Sequence, residues 1–308
     1  MKKLLSLFMI ALLSTVVLNC KGKAKRDCET KVCVVTTNTD MASLVGSVGG
    51  DMVSVESLAA GTADLHFVKT QPSFVETINQ SKVLVMIGLG MEMGWLPYLL
   101  KQVNNEAVKE GGAGHVDGST YVEALEKGVI KTDDNQAFHS EGNPHYWSDA
   151  VEGVKVAEAI KNTLSKVDSA NAAAYQANYD AFKAAADKVI ADNAALMEAH
   201  KGKKVVAYHR EFSYLANRYG LEIVSHIEEQ PGATPGPEQS QKIVNLMKEQ
   251  EIKHILISPW SKIQVAQQIA DQAGAKLVIL PLQTGAPGAG ADYLATISSV
   301  AKTLSEKL

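Results

Sequence analysis

Short apolar runs alternate with amphipathic stretches along most of the chain. From residue 32 to about 130 they follow in the order VCVVTT, TDMASLVGSVGG, MVSVESLA, PSFVETINQS and KVLVMIGLG. Strand and helix periods therefore alternate, which predicts an α/β layer with a mostly parallel sheet. A less regular stretch covers about 110 to 144, and residues 149–166 again carry a helical pattern. Residues 168–200 contain neither glycine nor proline and are rich in alanine, the strongest helix former. They predict one continuous helix, roughly 45 Å long at the standard rise, which suits a strut between two bodies. After Lys201-Gly202 the rhythm resumes with KVVAYH, EFSYLANRYG, LEIVSHI, SQKIVNLMKEQ, HILISP, KIQVAQQIADQAG and KLVILP, and a last helix starts at Tyr293. The expected fold is α/β, with two lobes (31–167 and 201–308), each a mostly parallel four-stranded sheet flanked by helices, joined by one long rigid α-helix over 168–200.

Length agrees with two lobes, since 308 residues at 46% apolar content can fill two cores of ordinary size. The formal charge of −4 comes from interspersed signs with no basic stripe, so nucleic acid is excluded as a partner. The chain opens MKKLLSLFMIALLSTVVLNC, with two lysines, an apolar run and a cysteine. This pattern is an export signal, and its apolar run is shorter than the ~20 residues of a spanning helix. VVLNC resembles a bacterial lipobox, in which Cys20 becomes the lipidated first residue, although Asn19 stands where a small residue is usual. Residues 1–20 are thus read as signal peptide and 21–30 as a flexible tether. Of the remaining cysteines, Cys33 lies in a strand-like run. An extended chain would hold Cys28 farther from it than the ~7 Å a disulfide tolerates, which predicts a buried Cys33 and a free Cys28.

Candidate chemistry rests on histidines. His66 follows the second strand, His145 precedes the helix that opens near Ser148, and His209 ends the strand KVVAYH. These junctions are where open α/β sheets place binding residues, and three neutral imidazoles plus one oxygen can hold a tetrahedral metal. His115, His139, His200, His226 and His254 show how little one histidine means alone. The segment TDDNQAFHSEG could attract metal through Asp133, Asp134 and His139, but with a single histidine it reads as a solvated loop. GLGMEMG fails the dinucleotide fingerprint because its third glycine comes one position late.

Local context carries the argument further. GNPHYWSDA resembles a segment of the substrate-binding proteins of bacterial zinc and manganese ABC transporters, Asn/Asp-Pro-His-x-Trp-x-Asp-Pro, departing only at Ala150. HREFSYLANRYGL is similar to that family's third-ligand segment, and ADLHFVKTQPS to its first, with Leu65 in place of a proline. IGLGMEMGWLPYLL is similar to a further family stretch, and the resemblance runs in order along the whole mature chain. It implies that His66, His145 and His209 are metal ligands.

The family's fourth ligand is a carboxylate or a water from the loop after the last strand. Here that loop reads LQTGAPGAGADY, Gln283 stands near the place of the usual aspartate, and Asp292 is the loop's one carboxylate. Asp292 is therefore the candidate fourth ligand, against an equal reading as the N-cap of the last helix. Glu92 and Glu141 are further candidates that read more readily as structural. Trp95, Tyr146, Trp147, Phe212 and Tyr214 are expected to pack under the site, and Asp149 to orient an imidazole through its second nitrogen.

The resemblance implies a periplasmic or cell-surface lipoprotein, monomeric and tethered through Cys20, that captures a divalent metal and hands it to an ABC permease. A histidine in the third position favours Zn2+ over Mn2+, since manganese prefers oxygen-rich sites. Two other functions compete. One is a zinc-dependent hydrolase with an open water position, although no GxSxG nucleophile motif is present. The other is a surface adhesin on the same fold.

Overall fold

The computed structural model describes residues 26–128 and 139–308. Cys20, the first half of the stretch 21–30 read as a tether, and Asp133 and Asp134 lie outside the described residues. Among the described residues no helix is long and apolar enough to cross a membrane.

The first lobe is built from β1 (Val32–Thr36), α1 (Thr39–Gly49), β2 (Val53–Ser57), α2 (Pro72–Asn79), β3 (Val83–Met86), α3 (Leu96–Leu100), β4 (His115–Asp117) and α4 (Ala150–Val167). Its four strands are parallel in the order β2-β1-β3-β4. Every residue of β1 is buried, as befits a parallel strand covered on both faces. The side chains alternate. Val32 and Val34 face Leu44, Val48 and Ile160 of α1 and α4, while Val35 faces Phe74, Ile78 and Leu99 of α2 and α3.

The second lobe repeats the plan with β5 (Lys204–Ala207), α6 (Ser213–Tyr219), β6 (Glu222–His226), α7 (Pro237–Glu249), β7 (His254–Ile257), α8 (Ile263–Ala273), β8 (Lys276–Ile279) and α9 (Tyr293–Lys307). Its strands are also all parallel, in the order β6-β5-β7-β8. The two sheets thus share one strand order, although no internal repeat is visible in the sequence. In each, the chain reverses its direction of winding beside the central first strand, β1 or β5, and at such a switch point the carboxyl ends of the strands open a crevice.

Between the lobes runs α5 (Ala172–Met197), 26 residues and about 39 Å long. Short 3-10 turns at Ser169–Asn171 and Glu198–His200 extend it to the span the sequence predicts. Tyr175, Tyr179, Phe182 and Ala186 of α5 enter the first core and Met197 the second. A second bridge accompanies it. In α9, Tyr293 and Ile297 belong to the first core while Val300, Ala301 and Leu304 belong to the second. The sequence marks α9 only as a terminal amphipathic helix, because an apolar stripe looks the same whether it serves one core or two.

Polar ties fasten the lobes where they meet. Asp149 takes a bidentate grip from Arg218, with Nη2 at 2.7 Å and Nε at 2.9 Å from Oδ2. Trp147 Nε1 donates to Leu282 O at 3.1 Å, and the Tyr293 hydroxyl donates to Trp147 O at 2.9 Å. Asp40 Oδ1 accepts from Thr284 N at 3.0 Å and from Thr284 Oγ1 at 2.8 Å. Gly61 permits the close approach of the same loop, because a methyl group there would sit 2.3 Å from Thr284 O.

One sequence expectation is corrected in this region. Cys28 and Cys33 form a disulfide, with Cα atoms 5.2 Å apart. The chain before β1 turns rather than extends. Asp27 Oδ1 accepts from Thr30 N at 3.2 Å, closing a turn that returns Cys28 to the start of the strand.

Candidate metal centre

Two N-lobe histidines are set by the same local device. Asp64 begins a 3-10 turn (Leu65–Phe67), and its Oδ1 accepts from both His66 N at 3.0 Å and His66 Nδ1 at 2.7 Å. Asn143 does the same ahead of the turn His145–Ser148, with Oδ1 2.9 Å from His145 N and 2.8 Å from His145 Nδ1. A carboxylate can only accept, so His66 Nδ1 carries the hydrogen. The Asn143 amide is fixed equally firmly, because its Nδ2 faces the acceptor Arg210 O at 2.8 Å. In both rings Nε2 is left as the nitrogen for a metal.

The turns are also held from outside. Trp95 Nε1 donates to Leu65 O at 3.0 Å, and the Tyr214 hydroxyl donates to Asn143 O at 2.7 Å. The Trp147 ring lies 5.2 Å from that of His145. All five aromatics expected to wall the site are buried.

His209 arrives from the second lobe, directly after β5 and Tyr208. Its Nδ1 stands 3.0 Å from Glu228 Oε2, near enough for an ion pair but not aligned as a hydrogen bond. Its Nε2 is buried and has no hydrogen-bond partner among the described residues. The fourth member is His139, 1% exposed, whose Nε2 lies 2.9 Å from His66 Nε2. The solvated-loop reading of His139 is therefore corrected: the residue is buried and belongs to the cluster.

The four imidazoles each offer a nitrogen, all within 4.8 Å of one another. Ring centroids are 5.1 Å apart for His66–His209 and for His145–His209, and 5.4 Å for His66–His145. A tetrahedral zinc with bonds near 2.0–2.1 Å spaces its donors about 3.3 Å apart, so the cluster needs only small ring shifts to close on an ion.

Burial first, and the neighbouring imidazoles second, hold His145 far below the usual histidine range. His209 is depressed in the same way, and His139 is pushed down to about 2. Neutral imidazole is the ligand form, so the donor set fits a late first-row metal. Beside it lies a cavity of about 170 Å³ whose lining includes Asp64, Glu211, Glu228 and Gln283. Burial raises Glu211 to about 8 and Glu228 to about 7.

The remaining candidates have other tasks. Asp292 is exposed and accepts from Ala295 N at 2.8 Å, capping α9, and it stands outside the cluster. Glu92 is buried on Thr37 Oγ1 and the amides of Ile87 and Gly88, and Glu141 is exposed. Asp149 does not orient an imidazole: Arg218 and the first turn of α4 occupy it. The groups that do are Asp64 and Asn143, each two residues before its histidine, with Glu228 beside His209. The shared Asx-x-His spacing in DLH and NPH is the signal that finds the first two. Gln283 Nε2 donates to Ala63 O at 2.9 Å, so its buried oxygen is turned the other way.

The zinc-uptake complex component A periplasmic family (ZnuA) matches residues 34–307 of the chain. Among curated proteins the chain is similar to the zinc-binding lipoprotein AdcA of Streptococcus pneumoniae (strain TIGR4), 26% identical over 99% of this chain. It spans 61% of that relative's length. It is also similar to the high-affinity zinc uptake system protein ZnuA of Brucella abortus (strain 2308), 23% identical over 80% of this chain and 82% of the relative. Among solved structures, a ZnuA crystal structure superposes with a TM-score of 0.75 at 20% identity, covering 90% of this chain and 99% of that one. A Mn-bound periplasmic metal binding protein from Candidatus Liberibacter asiaticus gives 0.74 at 20% identity, covering 90% and 99%. These structural likenesses speak for the two-lobed fold, while the match over residues 34–307 speaks for descent: the chain belongs to the ZnuA family of periplasmic zinc-uptake components.

Proposed function

We propose that this protein captures a divalent metal, zinc before others, between its lobes and delivers it to the membrane permease of an ABC importer. The observation that carries this reading is the cluster of four buried imidazoles, His66, His139 and His145 from one lobe and His209 from the other. Four nitrogen donors suit tetrahedral zinc, whereas manganese prefers oxygen. Manganese is the second reading, favoured by the carboxylates of Asp64, Glu211 and Glu228 in the adjoining cavity. The protein acts as a carrier and not as an enzyme, because four imidazoles on one ion leave no position for the activated water of a zinc hydrolase. Residues 31–167 and 201–308 are the lobes that close on the ion and 168–200 the strut. Lipidated Cys20 and the tether over 21–30 hold the monomer at the membrane, outside the cytoplasm. Titration of the full-length protein against a zinc-chelating dye tests the reading. One zinc per chain is expected, with His145→Ala weakening affinity by more than the about 100-fold upper range of losses from outer partners. Unchanged affinity in that variant would overturn it.

A further inference from the structure

Glu228 follows β6 and is 8% exposed. Its two oxygens serve different neighbours. Oε2 lies 3.0 Å from His209 Nδ1, while Oε1 accepts from Gly232 N at 2.8 Å. Gly232 belongs to the Pro/Gly-rich loop 229–236 and has φ +80°, and a Cβ there would meet the Phe67 ring at 2.9 Å. Phe67 comes directly after His66 on the opposite lobe, is 52% exposed, and lines the metal cavity together with Gly232. Lys262 Nζ donates to Gly232 O at 2.8 Å and fastens the loop from its own lobe. A segment of the second lobe therefore reaches across the mouth of the cavity and seats on the residue beside a ligand. It is held there by the same carboxylate that faces the second lobe's one clustered imidazole.

We propose that Glu228 is a positioning residue that couples metal on His209 to closure of loop 229–236 over the cavity. The inference rests on the four-histidine reading. When a metal takes His209 Nε2, the ring's hydrogen must reside on Nδ1, where it becomes a polarised donor 3.0 Å from Glu228 Oε2, which a small ring rotation would align. The carboxylate is then fixed at one oxygen, and its other oxygen fixes the amide of Gly232. Without metal the ring can adopt the other tautomer, whose Nδ1 lone pair opposes the carboxylate, and that hold on the loop slackens.

Amide hydrogen exchange of the full-length protein, with and without zinc, tests the coupling. In the wild type, zinc slows exchange across 229–236. Glu228→Ala still binds zinc but releases it about 10 to 100 times faster, in line with the loss of an outer partner, and exchange in the loop no longer responds to zinc. Glu228→Gln keeps the size and an oxygen for Gly232 N, so it controls for folding. It holds the loop with or without zinc, yet binds zinc more weakly, because its amide nitrogen faces His209 Nδ1. Phe67→Ala removes the loop's seat, so zinc leaves faster and binds more weakly, because coupling between closure and binding is reciprocal. A zinc-dependent loop response that survives in Glu228→Ala, or a wild type that binds one zinc with no response in the loop, would overturn the proposal while leaving the four-histidine site intact. Failure of the wild type to bind zinc at all would instead strike the underlying reading.

Discussion

The two sides of the histidine cluster are built differently. On the N-lobe side, His66 and His145 sit in turns closed by the residue two places earlier, and both rings have Nδ1 engaged there, which turns Nε2 toward the cluster. On the C-lobe side, His209 has an unpartnered Nε2, and its Nδ1 neighbour, Glu228, comes from the end of another strand. One side is set by local chain geometry and the other by tertiary packing. The proposed carrier role would gain from that division. The preset side can receive an ion with little reorganisation, and the other side can register its arrival.

The comparison can be sharpened by attacking the preset side first. Asn143→Ala removes the acceptor of His145 Nδ1 and the contact to Arg210 O together. Zinc affinity should fall by about 10 to 100-fold, the usual loss when a ligand's outer partner goes, as read by competition titration. If affinity holds, the local turn is not what presets the ring.

A smaller effect is expected at the other end of β1. Replacing Cys28 and Cys33 by serine opens a short loop and should cost about 2 kcal/mol of stability in the chain-entropy account. Chemical denaturation would read that loss, and zinc affinity should not change, because the disulfide lies at the strand end away from the cluster. A fall in affinity would mean that the preset side depends on more than its turns.

The smallest expected response is to pH. Burial lowers His139, His145 and His209 in the folded chain. Below a pH near 6.5 the unfolded chain binds protons that these folded rings refuse, so their contribution opposes folding increasingly as pH falls. In the metal-free protein, imidazole nitrogen resonances of His145 and His209 should hold their neutral positions from pH 7.5 to 5.5. Protonation of either ring in that interval would mean that the cluster is open to water and not preset.

Much of this was legible from periodicity. The strand and helix alternation and the Gly- and Pro-free stretch lead to the two sheets and to α5, and the contexts of His66, His145 and His209 mark residues that the fold brings together. What escaped depends on chain paths that local pattern does not encode. His139 meets a partner 73 positions away in sequence. Glu228 reaches His209 from the end of β6, and neither residue type nor spacing distinguishes it from Glu229. The Cys28–Cys33 bond follows from a turn where extension was assumed, and Asp149 is drawn away from the imidazoles by Arg218 of the opposite lobe.

The central claim is that four imidazoles from two lobes enclose one ion. X-ray absorption at the zinc edge of the loaded protein tests it most directly. The account predicts four nitrogen neighbours at about 2.0–2.1 Å, with the outer-ring scattering of imidazole. A first shell with two or fewer imidazoles, completed by oxygen, would contradict it.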